Sequence, residues 1–250
     1  VTKPSIFAGT SGWAYPTWKP GFYPEKLPAR KFLEHYATRL NSVEVNYTFR
    51  SLPSEAQLQG WLDATPTDFR FSFKAPQTIT HRRRLRNCAE LLAAFLAALS
   101  PVIKAKKDGA LLFQFPPNFR AQAVGKDKQT NFDALTAFLA ESRPLLRASK
   151  WRMAMEFRDP SWFHAQTYAV LRKAKVALCM AESDDLTTPE ISTANFSYTR
   201  MRASQYTESR LSAAARRFQV QSAKGLAFVY LKHEEAPDGP LRAEKLLHRT

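Results

Sequence analysis

What most constrains this chain is a repeated alternation. A short apolar, strand-like run is followed by an amphipathic, helix-like stretch or its remnant, eight times over. The strand-like runs fall at 6–11, 42–48, 69–75, 109–115, 151–157, 176–182, 196–202 and 225–232. Amphipathic stretches occupy 28–41, 54–64, 85–104, 131–146, 162–174, 207–223 and 241–248, with a weaker one at 188–194. Pro53 and Ser54, Asn131 before Asp133, and Pro160 with Ser161 supply helix-start signals. Eight strand–helix pairs in 250 residues predict an α/β fold, a single TIM-type (β/α)8 barrel forming one domain over residues 1–250. A doubly wound open sheet is the alternative and would usually carry fewer strands. No low-complexity linker divides the chain.

Composition narrows the class further. With 44% hydrophobic and 12% aromatic residues the chain has ample material for a core, which excludes global disorder. No apolar run is long enough to span a bilayer, and the longest, 91–99, reads as the buried face of a helix, so no membrane partner is expected. Residues 1–5 are too short for an export signal, and two cysteines, Cys88 and Cys179, make no disulfide framework; a cytoplasmic setting is expected. Lys and Arg total 37 against 22 Asp and Glu, a net charge of +15. That excess favours nucleic acid or another phosphate-bearing ligand as partner, with a merely solvated basic surface as the alternative.

Side-chain parity within the strands places the charge. Val43, Val45 and Tyr47 oppose Glu44, Asn46 and Thr48; Phe69, Phe71 and Phe73 oppose Arg70, Ser72 and Lys74; Met153, Met155 and Phe157 oppose Arg152, Glu156 and Arg158. In a barrel one parity packs under the helices and the other fills the lumen. If the apolar parity faces the helices, the lumen receives Glu44, Lys74, Glu156 and Arg158, and buried charges persist only when paired.

Barrel chemistry sits at the carboxyl ends of the strands. Glu44, Glu156, Glu182 and Lys74 are therefore the candidate catalytic groups, and Asn46, Gln114, Arg158, Arg200, Trp13 and His81 the candidate substrate-binding ones. An internal ion-pair network is the competing explanation for any one pair. Converging carboxylates could also hold a divalent cation, although no HExxH, CxxC or EF-hand pattern marks a metal site and the cofactor stays open. Of the five histidines, only His81 and His233 are placed to reach the mouth. Arg82, Arg83 and Arg84, next to His81, form the sharpest basic cluster and the candidate nucleic-acid contact. Trp13, Tyr15, Trp18, Phe49, Phe119, Trp162 and Phe163 crowd the same face, suited either to stacking on bases or sugars or to plugging the barrel top.

Five motifs in order carry a resemblance: GTSGW at 9–13, SVEVNYTFR at 42–50, FSFKAP at 71–76 followed by ITH at 79–81, FQFPPNF at 113–119 and MEFRDPSW at 155–162. Together they resemble the YecE-like family, also called domain of unknown function 72, over nearly the whole chain. The resemblance implies a TIM-barrel fold and a site at these motifs but no reaction. The chain departs from the family pattern at Glu182, at Met201 with Arg202, and at Lys232 with His233.

Three functions compete at this point. The first is a hydrolase-type enzyme on a phosphate-containing substrate, nucleic acid included, with Glu44, Glu156 and Glu182 as acid–base groups and Lys74, Arg158 and Arg200 neutralising phosphate. The second is a non-catalytic protein that grips nucleic acid or an anionic ligand. The third is a sugar-acting enzyme using Glu44 and Glu156 as a carboxylate pair.

Overall fold

The computed structural model describes residues 5–232 and 236–250, so His233 lies outside the described residues. The strands are β1 (Ile6–Thr10), β2 (Ser42–Val45), β3 (Arg70–Lys74), β4 (Asp108–Gln114), β5 (Arg152–Glu156), β6 (Ala177–Leu178), β7 (Met180–Glu182), β8 (Phe196–Met201) and β9 (Leu226–Leu231). All pair in parallel. Between and after them run helices α1 (Phe32–Arg39), α2 (Glu55–Asp63), α3 (Ala89–Ala98), α4 (Ser100–Lys104), α5 (Asn131–Ser149), α6 (Ala165–Ala174), α7 (Glu208–Ser222) and α8 (Asp238–Arg249).

Backbone ladders link β2-β3-β4-β5-β6 in one arc and β7-β8-β9-β1 in another. β6 and β7 are two halves of the sixth strand, parted at Cys179, so chain continuity joins the arcs on that side; the Cys179 N–H still donates to Met155 O at 2.8 Å. On the other side the seam between β1 and β2 is bridged by side chains. The Tyr36 hydroxyl accepts from Thr10 N at 2.8 Å and donates to Ser42 O at 3.0 Å. Asn41 accepts from Ala8 N and donates to Ile6 O, each at 2.9 Å. A Cβ on Gly9 would lie 1.8 Å from Ser42 O, so only glycine lets the two backbones come this close. The result is a TIM-type barrel of eight strands.

The barrel has two apolar layers. Between strands and helices lie Val43, Val45, Phe71, Phe73, Phe113, Met153, Met155 and Phe157 among others, the parity read as helix-facing. Inside, Phe7, Phe196, Phe228, Ala110, Leu112 and Ala154 fill the lower lumen, with Phe7 and Phe228 stacked at 5.4 Å. Above them Tyr198 and Tyr230 turn their hydroxyls upward. Tyr230 bonds to Ser42 and Ser72 at 2.6 and 2.8 Å, and Tyr198 reaches the charged layer.

Several boundaries differ from the expected ones, each for a local reason. The second strand stops at Val45, because a 3-10 turn at Tyr47–Phe49 follows it and Thr48 Oγ1 donates to Lys74 O at 2.6 Å. That leaves Tyr47 exposed rather than under the helices. The 85–104 stretch becomes two helices starting only at Ala89, after left-handed Arg84, Leu85 and Asn87, and it breaks at Leu99 before Pro101. Residues 188–194 form no helix. Thr188 accepts from Ala181 N at 3.3 Å, while Thr193 donates to Val176 O and accepts from Leu178 N, both at 2.7 Å. These threonines lash the segment along the sixth strand instead. Among the described residues no helix is long and apolar enough to cross a membrane. Cys88 and Cys179 are unpaired and buried, and burial raises both thiol pKa values.

Candidate functional site

At the carboxyl end of the lumen Arg200, carried inward by β8, lies between two carboxylates. Its Nη2 donates to Glu44 Oε1 of β2 at 2.8 Å and its Nη1 to Glu156 Oε2 of β5 at 2.7 Å. All three side chains are at most 2% exposed. Further donors engage both carboxylates. Ser11 Oγ donates to Glu44 Oε1 at 2.9 Å and Tyr198 OH to Glu44 Oε2 at 2.7 Å. Gln114 Nε2 and Arg158 Nε donate to Glu156 Oε1 at 2.8 and 3.1 Å. Burial alone would raise both carboxyl pKa values. Arg200, backed by the Tyr198 hydroxyl and Arg202, outweighs burial at Glu44 and holds it below the usual range. Arg200, Arg158 and Arg202 bring Glu156 down to about 2. Both carboxylates stay ionised, and both oppose the burial that would otherwise lower the pKa of Arg200.

Above this triad the balance of charge turns positive. Lys74, Arg158, Arg200 and Arg202 face two carboxylates already committed to Arg200. Arg202 is largely buried, its Nη1 has no hydrogen-bond partner among the described residues, and burial and Arg200 lower its pKa. Lys74 makes no ion pair among the described residues; its Nζ rests 4.2 Å from the Phe49 ring centroid. Burial and then Arg200 bring its pKa down from 10.5 to about 8, against the pull of Glu44 and Glu156. His81 meets the same Phe49 ring edge-to-face at 4.9 Å, and its Nδ1 is 2.9 Å from Thr80 Oγ1. Burial, Lys74, Arg158 and Arg84 lower its pKa and favour the neutral imidazole. Asn46 Nδ2 donates weakly to Ser11 O at 3.4 Å, and its Oδ1 is buried without a partner.

Thus Glu44, Glu156, Lys74, Gln114, Arg158, Arg200 and His81 gather at one end. Others of the expected set do not. Glu182 has the opposite parity: it pairs with Met201 across the ladder and turns outward to Arg210 and Arg217 of α7, while Ala181 takes the lumen position beside Arg200. Trp13 packs edge-to-face on Trp61 at 5.3 Å, beside a 600 Å³ cleft that Asn46 also borders. The arginine run does not open a helix. Arg82 ends a π-helical turn at Thr78–Arg82, Arg83 donates to Asn87 O at 3.1 Å, and Arg84 bonds to Asn118 Oδ1 at 3.0 Å. Only Arg82 and Arg83 are exposed. The carboxylate-pair reading also fails on geometry, because the Arg200 guanidinium fills the gap between Glu44 and Glu156 where a glycosidic oxygen would have to sit. No group of three His, Cys, Asp or Glu side chains among the described residues is arranged to hold a metal ion. Sequence reasoning missed Tyr198, although its parity with Arg200 on β8 was the signal for it. Arg202, two residues beyond Arg200, also joins the site, although it was not among the candidate site residues.

Comparison with known proteins agrees with this architecture. A sequence model described as "Protein of unknown function DUF72" matches residues 7–250. The UPF0759 protein YecE of Escherichia coli K12 is 37% identical over 158 residues, 63% of this chain and 50% of that protein. The chain spans about half the length of the curated relatives it matches. A DUF72 family protein of Thermotoga maritima superposes with a TM-score of 0.81 at 22% identity, covering 98% of both chains. The D-psicose 3-epimerase of Clostridium cellulolyticum H10 superposes at 0.58 with 8% identity, over 91% of this chain and 95% of that one, a likeness of fold alone.

Proposed function

Because the chain belongs to the family described as "Protein of unknown function DUF72", its activity has to be read from the site, and we propose that the barrel mouth binds a phosphate-bearing substrate of an enzyme. The observation that carries this reading is the surplus of cationic donors above a neutralised floor. Among the described residues the buried Nη1 of Arg202 has no partner and Lys74 has no counter-ion. Buried donors left unpaired are costly, and an oxyanion would satisfy them. Arg158 and Arg202 then clamp the phosphate, while Glu44 and Glu156 act as positioning residues that fix Arg200 and Arg158. A carboxyl at about 2 is no general acid near neutrality, so proton transfer falls to Lys74 and His81. A hydrolytic reaction on this substrate would therefore use those two groups.

The test is calorimetric titration with glycerol 3-phosphate, inorganic phosphate and glycerol. Both phosphates should bind, glycerol should not, and Arg202→Ala should weaken binding at least tenfold. If glycerol 3-phosphate binds no better than glycerol, the reading fails. Exposed Arg82 and Arg83 beside His81 favour a second reading, in which the phosphate belongs to a polynucleotide lying across the rim.

A further inference from the structure

We propose that Lys74 is an imine-forming amine, and that the phosphate-bearing ligand of this mouth is an aldehyde or ketone whose carbonyl carbon Lys74 Nζ attacks. The inference rests on the phosphate reading above and adds the substrate's reacting group to it.

Lys74 ends β3 on the lumen side, one inward position above Ser72, and stays partly exposed at the mouth. A lysine held only as a counter-charge would sit within ion-pair reach of a carboxylate. Lys74 makes no such pair among the described residues, and each nearby carboxylate already accepts three hydrogen bonds: Glu44 from Arg200, Ser11 and Tyr198, Glu156 from Arg200, Gln114 and Arg158. The groups that act on Lys74 are thus Arg200 from β8, Arg158 and Glu156 from the fifth strand and its end, Glu44 from β2, and His81 from the turn after β3. An amine half-desolvated among guanidiniums sheds its proton readily, which is how a lysine becomes a nucleophile near neutral pH. The ordinary lysine pKa brought to about 8 is consistent with that surrounding. Phe49 is the second geometric element. Its ring touches Lys74 Nζ and the His81 ring alike, and an aromatic face accommodates an iminium cation as well as an ammonium.

The step balances without any oxidant or reductant. The Lys74 nitrogen lone pair forms the C–N bond, the carbonyl π pair moves to oxygen, and that oxygen takes up a proton as nitrogen gives one up, leaving a carbinolamine. The carbinolamine hydroxyl then departs as water on receiving a proton, leaving a protonated imine. His81 is the group placed to relay protons. Its Nδ1 is engaged with Thr80 and its Nε2 makes no hydrogen bond among the described residues. Arg158 and Arg202 hold the phosphate meanwhile.

The experiment is borohydride trapping. The protein is incubated with dihydroxyacetone phosphate, or with dihydroxyacetone as the neutral counterpart, reduced with sodium borohydride, and read by intact mass and peptide mapping. One dominant adduct on the peptide containing Lys74 is expected, favoured at least tenfold for the phosphorylated ketone and suppressed by inorganic phosphate. It should vanish in Lys74→Arg and Lys74→Met, whichever of the two remains folded by its melting curve. Adducts spread over surface lysines, or an adduct that persists in those variants, would overturn the proposal. Phosphate binding by calorimetry with no adduct sinks the imine and spares the phosphate reading. An adduct on Lys74 that forms equally from the neutral ketone and ignores phosphate keeps the amine and sinks the phosphate reading.

Discussion

Arg200 and Glu156 stand 2.7 Å apart in the lumen, each almost wholly buried, although 44 residues separate them in the chain. The same guanidinium holds Glu44 on the opposite side. Removing three charges from water costs more than their attraction easily returns, unless every donor and acceptor is matched. Here four further donors reach the carboxylates, and the Arg200 guanidinium still leaves Nε without a partner among the described residues. A triad buried this deeply is costly to assemble and costly to break.

The first expectation follows from that geometry. Arg200→Met leaves two buried carboxylates without their shared cation, and breaking a buried pair costs about 3–5 kcal/mol. Urea denaturation should show a loss of that order. A variant as stable as the parent would mean that the triad contributes nothing to the folded state.

Acid should act through Glu156. Its folded pKa, about 2, lies below the ordinary 4.5, so its contribution is complete above about 4.5 and is lost as pH falls from there toward about 2. Glu44, also lowered, acts in the same sense. Glu156→Gln should be less stable than the parent at pH 7, because Arg200 and Arg158 lose their counter-charge, and the gap should narrow by pH 3. Urea midpoints at the two values check this; a gap that is constant with pH contradicts the assigned ionisation.

How much of this was legible in the sequence depends on what set each feature. Strand positions followed from apolar runs, and parity put Glu44, Lys74 and Glu156 in the lumen, because burial on the helix side leaves polar residues one direction to face. Parity was applied less far at the sixth strand, where Met180 and Glu182 share the outward face and Glu182 was nevertheless counted with the site. Residues 188–194 look amphipathic, but Thr188 and Thr193 spend their hydroxyls on strand backbone, a tertiary choice that periodicity does not register. Arg200 as the hub required knowing that β2, β5 and β8 converge, which is a property of closure and not of any one segment.

Closure itself can be tested at Gly9. Any Cβ there would meet Ser42 O at 1.8 Å and the Tyr36 hydroxyl at 2.6 Å, both parts of the β1–β2 seam. Gly9→Ala should lower the melting temperature strongly. Gly60→Ala, in the middle of α2 with nothing within 4 Å, should raise stability by about 0.5–1 kcal/mol. Equal effects at the two positions would show that the seam is not as tight as described.

If the rim also meets nucleic acid, the exposed arginines set its salt dependence. Oligonucleotide affinity should fall steeply with salt, and replacing Arg82, Arg83 and Arg84 by Ala should flatten the log–log slope by roughly one unit per lost phosphate contact. Arg84 should matter least, because its guanidinium already bonds to Asn118. Fluorescence anisotropy across a salt series measures this, and absence of binding at low salt removes nucleic acid as a partner.

The last expectation concerns the charge on Lys74. Its folded pKa of about 8 lies below the ordinary 10.5, so the native state binds fewer protons than the unfolded state between those values. Stability therefore rises with pH across that window, and below about 8 the buried ammonium is a standing penalty. Burial is its main source, Arg200 the next. Lys74→Met keeps length and apolar contact while removing the charge, at the loss of a cation–π contact with Phe49 worth about 0.5–2 kcal/mol. At pH 7 the removed penalty is the larger quantity, so the variant should melt higher than the parent. Toward pH 10.5 the folded parent's amine is neutral and the penalty is gone, so the difference should shrink or reverse. Melting curves of both proteins at the two pH values decide it: a Met variant that melts lower at pH 7 would mean that Lys74 is held as a stabilising cation and not as a group kept ready to lose its proton.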